Sequence, residues 1–145
     1  MKTCNELKMT VDAKSVNESF CRAAIGAFVA QLDPTVEELS DIKTAVSEAV
    51  TNCIVHAYSE QSGKIYIQVR ITDGVFVTVK IRDTGCGIAD VTKAREPLYS
   101  SVGGERSGLG FTVMESFCDH LCVRSKPGQG TTVVIEKRIF GKRST

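Results

Sequence analysis

The sequence predicts an α+β fold: a two-layer sandwich in which helices cover one face of a mixed β-sheet. The order of patterns along the 145 residues is strand, two helices, two strands, a glycine-rich loop, one helix and two strands. The strand stretches alternate apolar and polar residues, and each helix has one apolar stripe, so every element has a face to bury. Layers segregated in this way form an α+β sandwich. The length is that of one domain, 1–145.

Composition excludes several classes of function. Hydrophobic residues make up 42% of the chain and charged residues 24%, which is typical of a packed globular core. The net charge of +1 argues against a general polyanion binder. No apolar run approaches the length of a membrane span, and no apolar signal core follows the first residues. We therefore expect a cytoplasmic protein that binds neither nucleic acid nor membranes directly.

The six cysteines are expected to be reduced thiols in that compartment. Cys118 and Cys122, with His120 between them, lack a second ligand pair, so their spacing is a weak indication of a metal site. Cys21 and Cys53 fall at apolar helical positions and are predicted to lie in the core.

The first half of the chain predicts one strand and two helices. An opening strand is indicated by the alternation of Leu7, Met9 and Val11. A capping-box pattern, Ser15 with Glu18, begins the first helix, which is expected to end at Asp33-Pro34. The same pattern returns at residues 35 and 38 and begins a longer helix that ends near residue 58.

The second half predicts two strand pairs around a loop and a helix. Residues 64–72 and 75–82 are rich in Ile and Val, and Asp73-Gly74 between them is a strong hairpin signal. An irregular stretch follows at 83–107, then a helix at 108–117. The last strands are predicted at 120–124 and 131–137, joined by the turn 127–130.

The long loop carries the first indication of chemistry. It begins Asp83-Thr84-Gly85-Cys86-Gly87-Ile88, an acidic residue that ends a strand and is followed by alternate glycines. Such a loop lets backbone and carboxylate approach a ligand closely. A carboxylate there can accept a hydrogen bond from an exocyclic amine such as that of adenine. Taken alone, the motif is more typical of a glycine turn capped by its own Asp.

The second indication is the glycine-rich run 103–111, which leads directly into a helix. Backbone N–H groups at a helix start make a natural phosphate site, and Arg106 adds a planar cation suited to a terminal phosphate. The run is not a Walker A loop, because no Gly-Lys-Ser/Thr follows. Taken alone, it fits a flexible linker equally well.

The third indication is a pair of polar residues on the second helix. Glu48 and Asn52 are four residues apart, so they share one face at the edge of the apolar stripe. Asn offers a neutral oxygen to a hard cation, and Glu can accept the proton of a hydroxyl. The alternative is an ordinary pair on the solvated face of an amphipathic helix.

In this order, the three signals resemble the N, G1 and G2 boxes of the GHKL ATPase/kinase superfamily, whose ATP site is the Bergerat fold. The boxes are carried by 48–52, 83–88 and 108–110. Within the superfamily, 17–22, 47–58 and 105–111 resemble the sporulation anti-sigma serine kinases. The resemblance covers 7–137, and the three boxes together are highly specific.

The resemblance implies roles for individual residues. Asn52 would ligate Mg²⁺, Asp83 would read the adenine amine of ATP, and Arg106 would contact the γ-phosphate. Glu48 would be the general base on a serine of an anti-anti-sigma partner. Pocket and lid would be shaped by four glycines: Gly85, Gly87, Gly108 and Gly110.

The resemblance also implies partners. Members of the family are homodimers that sequester a sigma factor, here of the sigma-F type, through the first helix, where Glu18 and Arg22 match contact positions. Either Thr131 or Thr132 matches a threonine near the adenine; we select Thr132, with a plain strand threonine as the alternative. The segment 99–104 departs from the family's more polar, proline-bearing lid, which favours a more mobile lid in this chain.

We therefore predict an ATP-dependent anti-sigma factor that is also a protein serine kinase. Two alternatives remain open from the sequence. One is a nucleotide-gated binding module without phosphotransfer, and the other is a stand-alone histidine-kinase-like ATPase domain. The presence of Glu48 in addition to Asn52 favours the kinase.

Overall fold

The computed structural model describes residues 3–58, 62–87 and 107–142. The strands are β1 (Thr3–Asp12), β2 (Lys64–Thr72), β3 (Phe76–Arg82), β4 (His120–Lys126) and β5 (Gly130–Arg138), and the helices are α1 (Val16–Val29), α2 (Val36–Asn52) and α3 (Ser107–Ser116). A 3₁₀ turn, Ala30–Leu32, continues α1, and a π-helical turn, Cys53–Ala57, continues α2. The predicted order of elements is confirmed. No helix in the described ranges is long and apolar enough to cross a membrane.

The sheet confirms the α+β sandwich, with one correction. The strand order is β1-β2-β3-β5-β4, and every neighbouring pair is antiparallel, so the sheet is antiparallel and not mixed as expected. Two successive helices between β1 and β2 return the chain in the opposite direction, and the other two consecutive pairs are hairpins. β4 runs in the same direction as β3, but β5 lies between them and prevents a parallel pair.

One face of the sheet packs on the helices. Alternate residues of β2 and β3 are buried there, and α2 packs between α1 and α3. Cys21 and Cys53 belong to this core, as predicted. The opposite face is mostly polar among the described residues, and the guanidinium of Arg82 lies 4.2 Å from the ring centre of Tyr66.

The two predicted capping boxes have different outcomes. Thr35 and Glu38 form the complete reciprocal box at the start of α2. Ser15 precedes α1 but makes no side-chain cap, so the box with Glu18 is wrong. The carboxylate of Glu18 instead accepts a hydrogen bond from the hydroxyl of Ser47 on α2. A tertiary partner has replaced the local one.

Candidate functional site

Asp83 is a buried carboxylate at the end of β3, with only 4% of its surface exposed. Its Oδ1 accepts hydrogen bonds from the backbone N–H of Gly85 at 2.9 Å and of Thr131 at 3.2 Å. Its Oδ2 lies 3.6 Å from Sγ of Cys53. Burial raises the pKa of Asp83, although these hydrogen bonds favour the charged form. The carboxylate is therefore desolvated and fixed in orientation by its neighbours.

The glycines after Asp83 pack this loop between two other elements. A Cβ on Gly85 would overlap the carbonyl oxygen of Ala57 in the π-helical turn. Gly87 has φ +76°, and a Cβ there would overlap the carbonyl oxygen of Lys126 at the end of β4. Neither neighbour is a side chain that can move aside. The two predicted glycines therefore shape the site by letting backbone segments meet.

The π-helical turn connects the loop to the rest of the fold. The N–H of Tyr58 donates to the carbonyl of Cys53 at 3.2 Å. The two residues are five apart in the sequence, which is the hydrogen-bond pattern of a π-helix. The phenol oxygen of Tyr58 accepts from the N–H of Thr84 at 2.7 Å and donates to the carbonyl of Lys64 at 2.8 Å. Tyr58 thus fixes the loop against the start of β2. Single π-turns are frequent at functional sites.

Asn52 lies where α2 meets the start of α3. A Cβ on Gly110 would be 3.0 Å from Oδ1 of Asn52 and 3.1 Å from Nδ2, so the absence of a side chain lets α3 approach this amide. Gly108 lies in the first turn of the same helix. A helix N-terminus favours anions, so the predicted phosphate end of the site lies beside the predicted magnesium ligand.

Glu48 lies one turn before Asn52 and lines a groove of about 660 Å³ between α1 and α2. Glu18, Arg22 and Ser47 line the same groove. Arg22 lies 3.8 Å from the carboxylate of Glu18, which in turn accepts the hydrogen bond from Ser47. The predicted base and the two predicted partner-binding residues therefore share one surface.

The two threonine candidates lie on opposite faces of β5. Thr131 is buried, its N–H donates to Asp83, and its Oγ1 is 2.8 Å from the hydroxyl of Ser125. Thr132 is paired in register with Arg82 and Arg124, and its side chain points to the other face because side chains alternate along a strand. The structure places Thr131 at the site and does not bring Thr132 to it.

Some predicted residues lie outside the described ranges. Arg106 and the predicted lid at 99–104 are among them. Among the described residues, no group of three His, Cys, Asp or Glu side chains surrounds a common point. The donors present still fit Mg²⁺ bound to ATP, because such an ion keeps waters and phosphate oxygens as ligands and needs few from the protein. Asn52 would supply one amide oxygen.

Three contributors to this site were not predicted from the sequence: Ser47, Tyr58 and Gly130. Gly130 has φ +93°, and a Cβ there would overlap the carbonyl of Asp83. Thr131 was one of two threonine candidates, but Thr132 was the one selected. Period-two alternation would have found Thr131, since Val133 and Ile135 share its side of β5 and are buried. No local signal marks Ser47, whose partner is 29 residues away.

Comparisons with known sequences show the family of the chain. Residues 10–137 match the family model described as a histidine kinase-like ATPase domain. The chain is 53% identical over 137 residues to the anti-sigma F factor of Halalkalibacterium halodurans, covering 93% of each chain. It is 51% identical over 144 residues to the anti-sigma F factor of Caldanaerobacter subterraneus subsp. tengcongensis, covering 99% of this chain and 100% of the relative.

Solved structures show the same fold at lower identity. The RsbU and RsbW domains of a Mycobacterium tuberculosis protein match with a TM-score of 0.68 at 20% identity, over 93% of this chain and 32% of that one. The histidine kinase domain of a blue-light activated kinase from Erythrobacter litoralis matches with a TM-score of 0.58 at 21% identity, over 84% and 60%. At these identities the likeness concerns the fold alone.

Proposed function

The chain belongs to the histidine kinase-like ATPase family and, within it, to the anti-sigma F factors, and from that premise we propose that it sequesters a sigma-F-type factor under the control of ATP and phosphorylates a serine of an anti-anti-sigma partner. The observation that carries the proposal is the position of Glu48. It shares a groove with Glu18 and Arg22 and lies one helical turn from Asn52. A partner in the groove would thus approach the predicted phosphate end of the site.

The nucleotide end of the proposed site rests on Asp83 and Thr131. Asp83 would accept a hydrogen bond from the exocyclic amine of adenine, and the backbone N–H groups that hold its Oδ1 keep the carboxylate in place. The start of α3, with Gly108 and Gly110, would face the phosphates. Arg106 remains a prediction for the γ-phosphate.

Glu48 would orient the serine hydroxyl of the partner and accept its proton during transfer. Bound Mg²⁺, with Asn52 as its protein ligand, would neutralise phosphate charge. Glu48 is half-buried at the edge of the apolar stripe of α2, where a docked partner would remove water from it. Loss of water strengthens the electrostatic interactions on which a general base depends.

The groove between α1 and α2 is the proposed docking surface. Arg22 and Glu18 present a cation and an anion at its rim. Charge pairs at a rim affect association rate and partner choice more than total affinity. The homodimer expected from the resemblance remains a prediction that sedimentation of the purified protein would test.

Phosphotransfer is tested with γ-labelled ATP, magnesium and an anti-anti-sigma protein, comparing wild type with Glu48→Gln. We expect label on a serine of the partner, reduced at least about a hundredfold in Glu48→Gln, while the affinity for ATP stays unchanged. Glu37→Gln is the matched control, because Glu37 is an exposed glutamate in the first turn of the same helix.

The possible results separate the candidate functions. Label at the wild-type rate with Glu48→Gln would contradict Glu48 as the base. No label with wild type, while ATP still changes the affinity for the sigma factor, would favour the nucleotide-gated binding module.

A further inference from the structure

The thiol of Cys53 touches the carboxylate that is proposed to read adenine. Cys53 is the first residue of the π-helical turn and follows Asn52 directly. Its side chain is 4% exposed, and Sγ lies 3.6 Å from Oδ2 of Asp83. The sequence alone placed Cys53 in the core as a packing residue. The structure adds a polar contact to that role.

Counting acceptor sites shows which oxygen of Asp83 remains open to a ligand. A carboxylate oxygen has two lone pairs. Oδ1 already accepts two backbone N–H groups, from Gly85 and Thr131. Oδ2 accepts one hydrogen bond, from the thiol of Cys53. Among the described residues no other group donates to Oδ2, so its remaining lone pair is the one that can accept an exocyclic amine.

The position of Cys53 suits it to donate to Asp83. Its side chain is buried, and a thiol carries one proton that can be directed at Oδ2, the carboxylate oxygen 3.6 Å from Sγ. An S–H group is a weak donor, so it orients Oδ2 without competing strongly with a ligand amine.

We propose that Cys53 is a positioning residue for nucleotide specificity: its thiol holds Oδ2 of Asp83 in the orientation that accepts the amino group of adenine. The inference rests on the proposed function, since it takes ATP as the ligand of this site. It predicts that the loss of the thiol affects recognition of the base amine and not of the phosphates.

The experiment measures the affinity of the full chain for ATP and for inosine triphosphate, which carries a carbonyl in place of the amine. Wild type should prefer ATP. Cys53→Ala should reduce the preference on the order of fivefold, the size expected for a lost weak hydrogen bond to a charged group. Cys53→Ser should retain the preference, because a hydroxyl in the same place also donates to Oδ2.

Cys21→Ala is the matched control for packing. Cys21 is fully buried in the same core, on α1, and has no hydrogen bond to Asp83. Its replacement should lower stability as Cys53→Ala does and leave the nucleotide preference as in wild type. Equal losses of preference in both variants would show that packing, and not the thiol contact, sets the specificity.

A spectroscopic measurement provides an independent readout. The infrared S–H stretch of Cys53, identified by its absence in Cys53→Ser, should shift when ATP binds and should not shift with inosine triphosphate. If wild type prefers ATP and Cys53→Ala keeps the full preference, the inference is wrong while the proposed function stands. If wild type does not bind ATP at all, the proposed function and the inference fail together.

Discussion

The hydroxyl of Ser47 donates a hydrogen bond to the carboxylate of Glu18 and so joins the helix that carries Glu48 to the helix that carries Arg22. Ser47 precedes the proposed base by one residue. Any partner that draws Glu18 or Arg22 into its own contacts therefore acts on the turn that holds Glu48. This link connects the proposed docking surface with the proposed chemistry.

Ser47→Ala should weaken that connection. We expect a loss of about 1 kcal/mol in the free energy of unfolding, the usual value for one hydrogen bond, and a slower phosphotransfer at unchanged affinity for ATP. Urea unfolding and the labelling assay measure the two effects. Ser40→Ala is the control, because Ser40 is exposed in the same groove. Equal transfer rates for the two variants would contradict the connection.

Gly85→Ala should abolish nucleotide binding. Its Cβ would overlap the backbone carbonyl of Ala57, so the loop after Asp83 would have to move. Gly74→Ala is the matched control: Gly74 also lies in a turn, and a Cβ there meets nothing within 4 Å. Because Gly74 has a φ of +70°, its replacement by alanine should lower the free energy of unfolding by about 1 kcal/mol. Wild-type ATP affinity in Gly85→Ala, measured by calorimetry, would refute the packing argument.

Asp83→Asn should stabilise the ligand-free protein at pH 7 and remove the response to ATP. The pKa of Asp83 is raised above its ordinary 3.8 by burial, so the folded state favours the protonated form. The stabilisation of the fold by protonated Asp83 is complete below pH 3.8 and is lost as the pH rises through the pKa of Asp83 in the folded state. Ionised Asp83 is thus a cost at neutral pH, which the neutral amide avoids.

Thermal unfolding with and without ATP checks both parts of that prediction. The melting temperature of the ligand-free Asp83→Asn protein should exceed that of wild type at pH 7, and the difference should shrink as the pH falls. ATP should raise the melting temperature of wild type alone. A variant that is less stable than wild type at pH 7 would contradict the burial argument.

His56 should make the fold sensitive to mild acid. Burial lowers its pKa below the ordinary 6.5, and its Nδ1 is buried without a hydrogen-bond partner among the described residues. The stabilisation of the fold by neutral His56 is present above pH 6.5 and is lost as the pH falls through the pKa of His56 in the folded state. When the pH is lowered from 7 to the pKa of His56 in the folded state, the free energy of unfolding should fall less in His56→Phe than in wild type. Identical pH profiles in urea unfolding would contradict this role.

Glu38 should hold the C-terminal segment as well as α2. Its carboxylate accepts from the N–H groups of Thr35 at 2.9 Å, Phe140 at 2.7 Å and Gly141 at 3.0 Å. Glu38→Ala should cost about 2 kcal/mol of stability, while Glu37→Ala, on the exposed side of the same turn, should cost less than about 0.5 kcal/mol. Urea unfolding measures both. Equal costs would show that the anchor has no energetic role.

Elements set by local chemistry were predictable from the sequence. The capping box of Thr35 and Glu38 began α2 where expected, and Asp73 and Gly74 both adopt the positive φ that their hairpin requires. Both features depend on neighbours within a few residues. Asp83 was singled out differently, because its acidic residue and alternate glycines occur together with the two other boxes of the superfamily pattern.

Features set by distant neighbours were not predictable in the same way. Glu18 forms a hydrogen bond with Ser47 and not with the predicted cap at Ser15. β5 lies between β3 and β4 in the sheet, so β3 and β4 do not pair. In both cases tertiary packing outweighs local preference. Cys53 was correctly predicted to lie in the core, but its contact with Asp83 after β3 could be seen only in the structure. Thr132 was selected where the alternation of β5 required Thr131. In these cases the partner lies far away along the chain.

Control of the docking surface by the nucleotide is tested most directly by the affinity for a sigma-F-type factor with and without magnesium-ATP, in wild type and in Asp83→Asn. We predict that ATP tightens wild-type binding by about tenfold or more, a coupling of ordinary allosteric size, and that it has no effect on Asp83→Asn. Equal affinity of wild type for the sigma factor with and without ATP would contradict the central claim that this nucleotide site controls the docking surface.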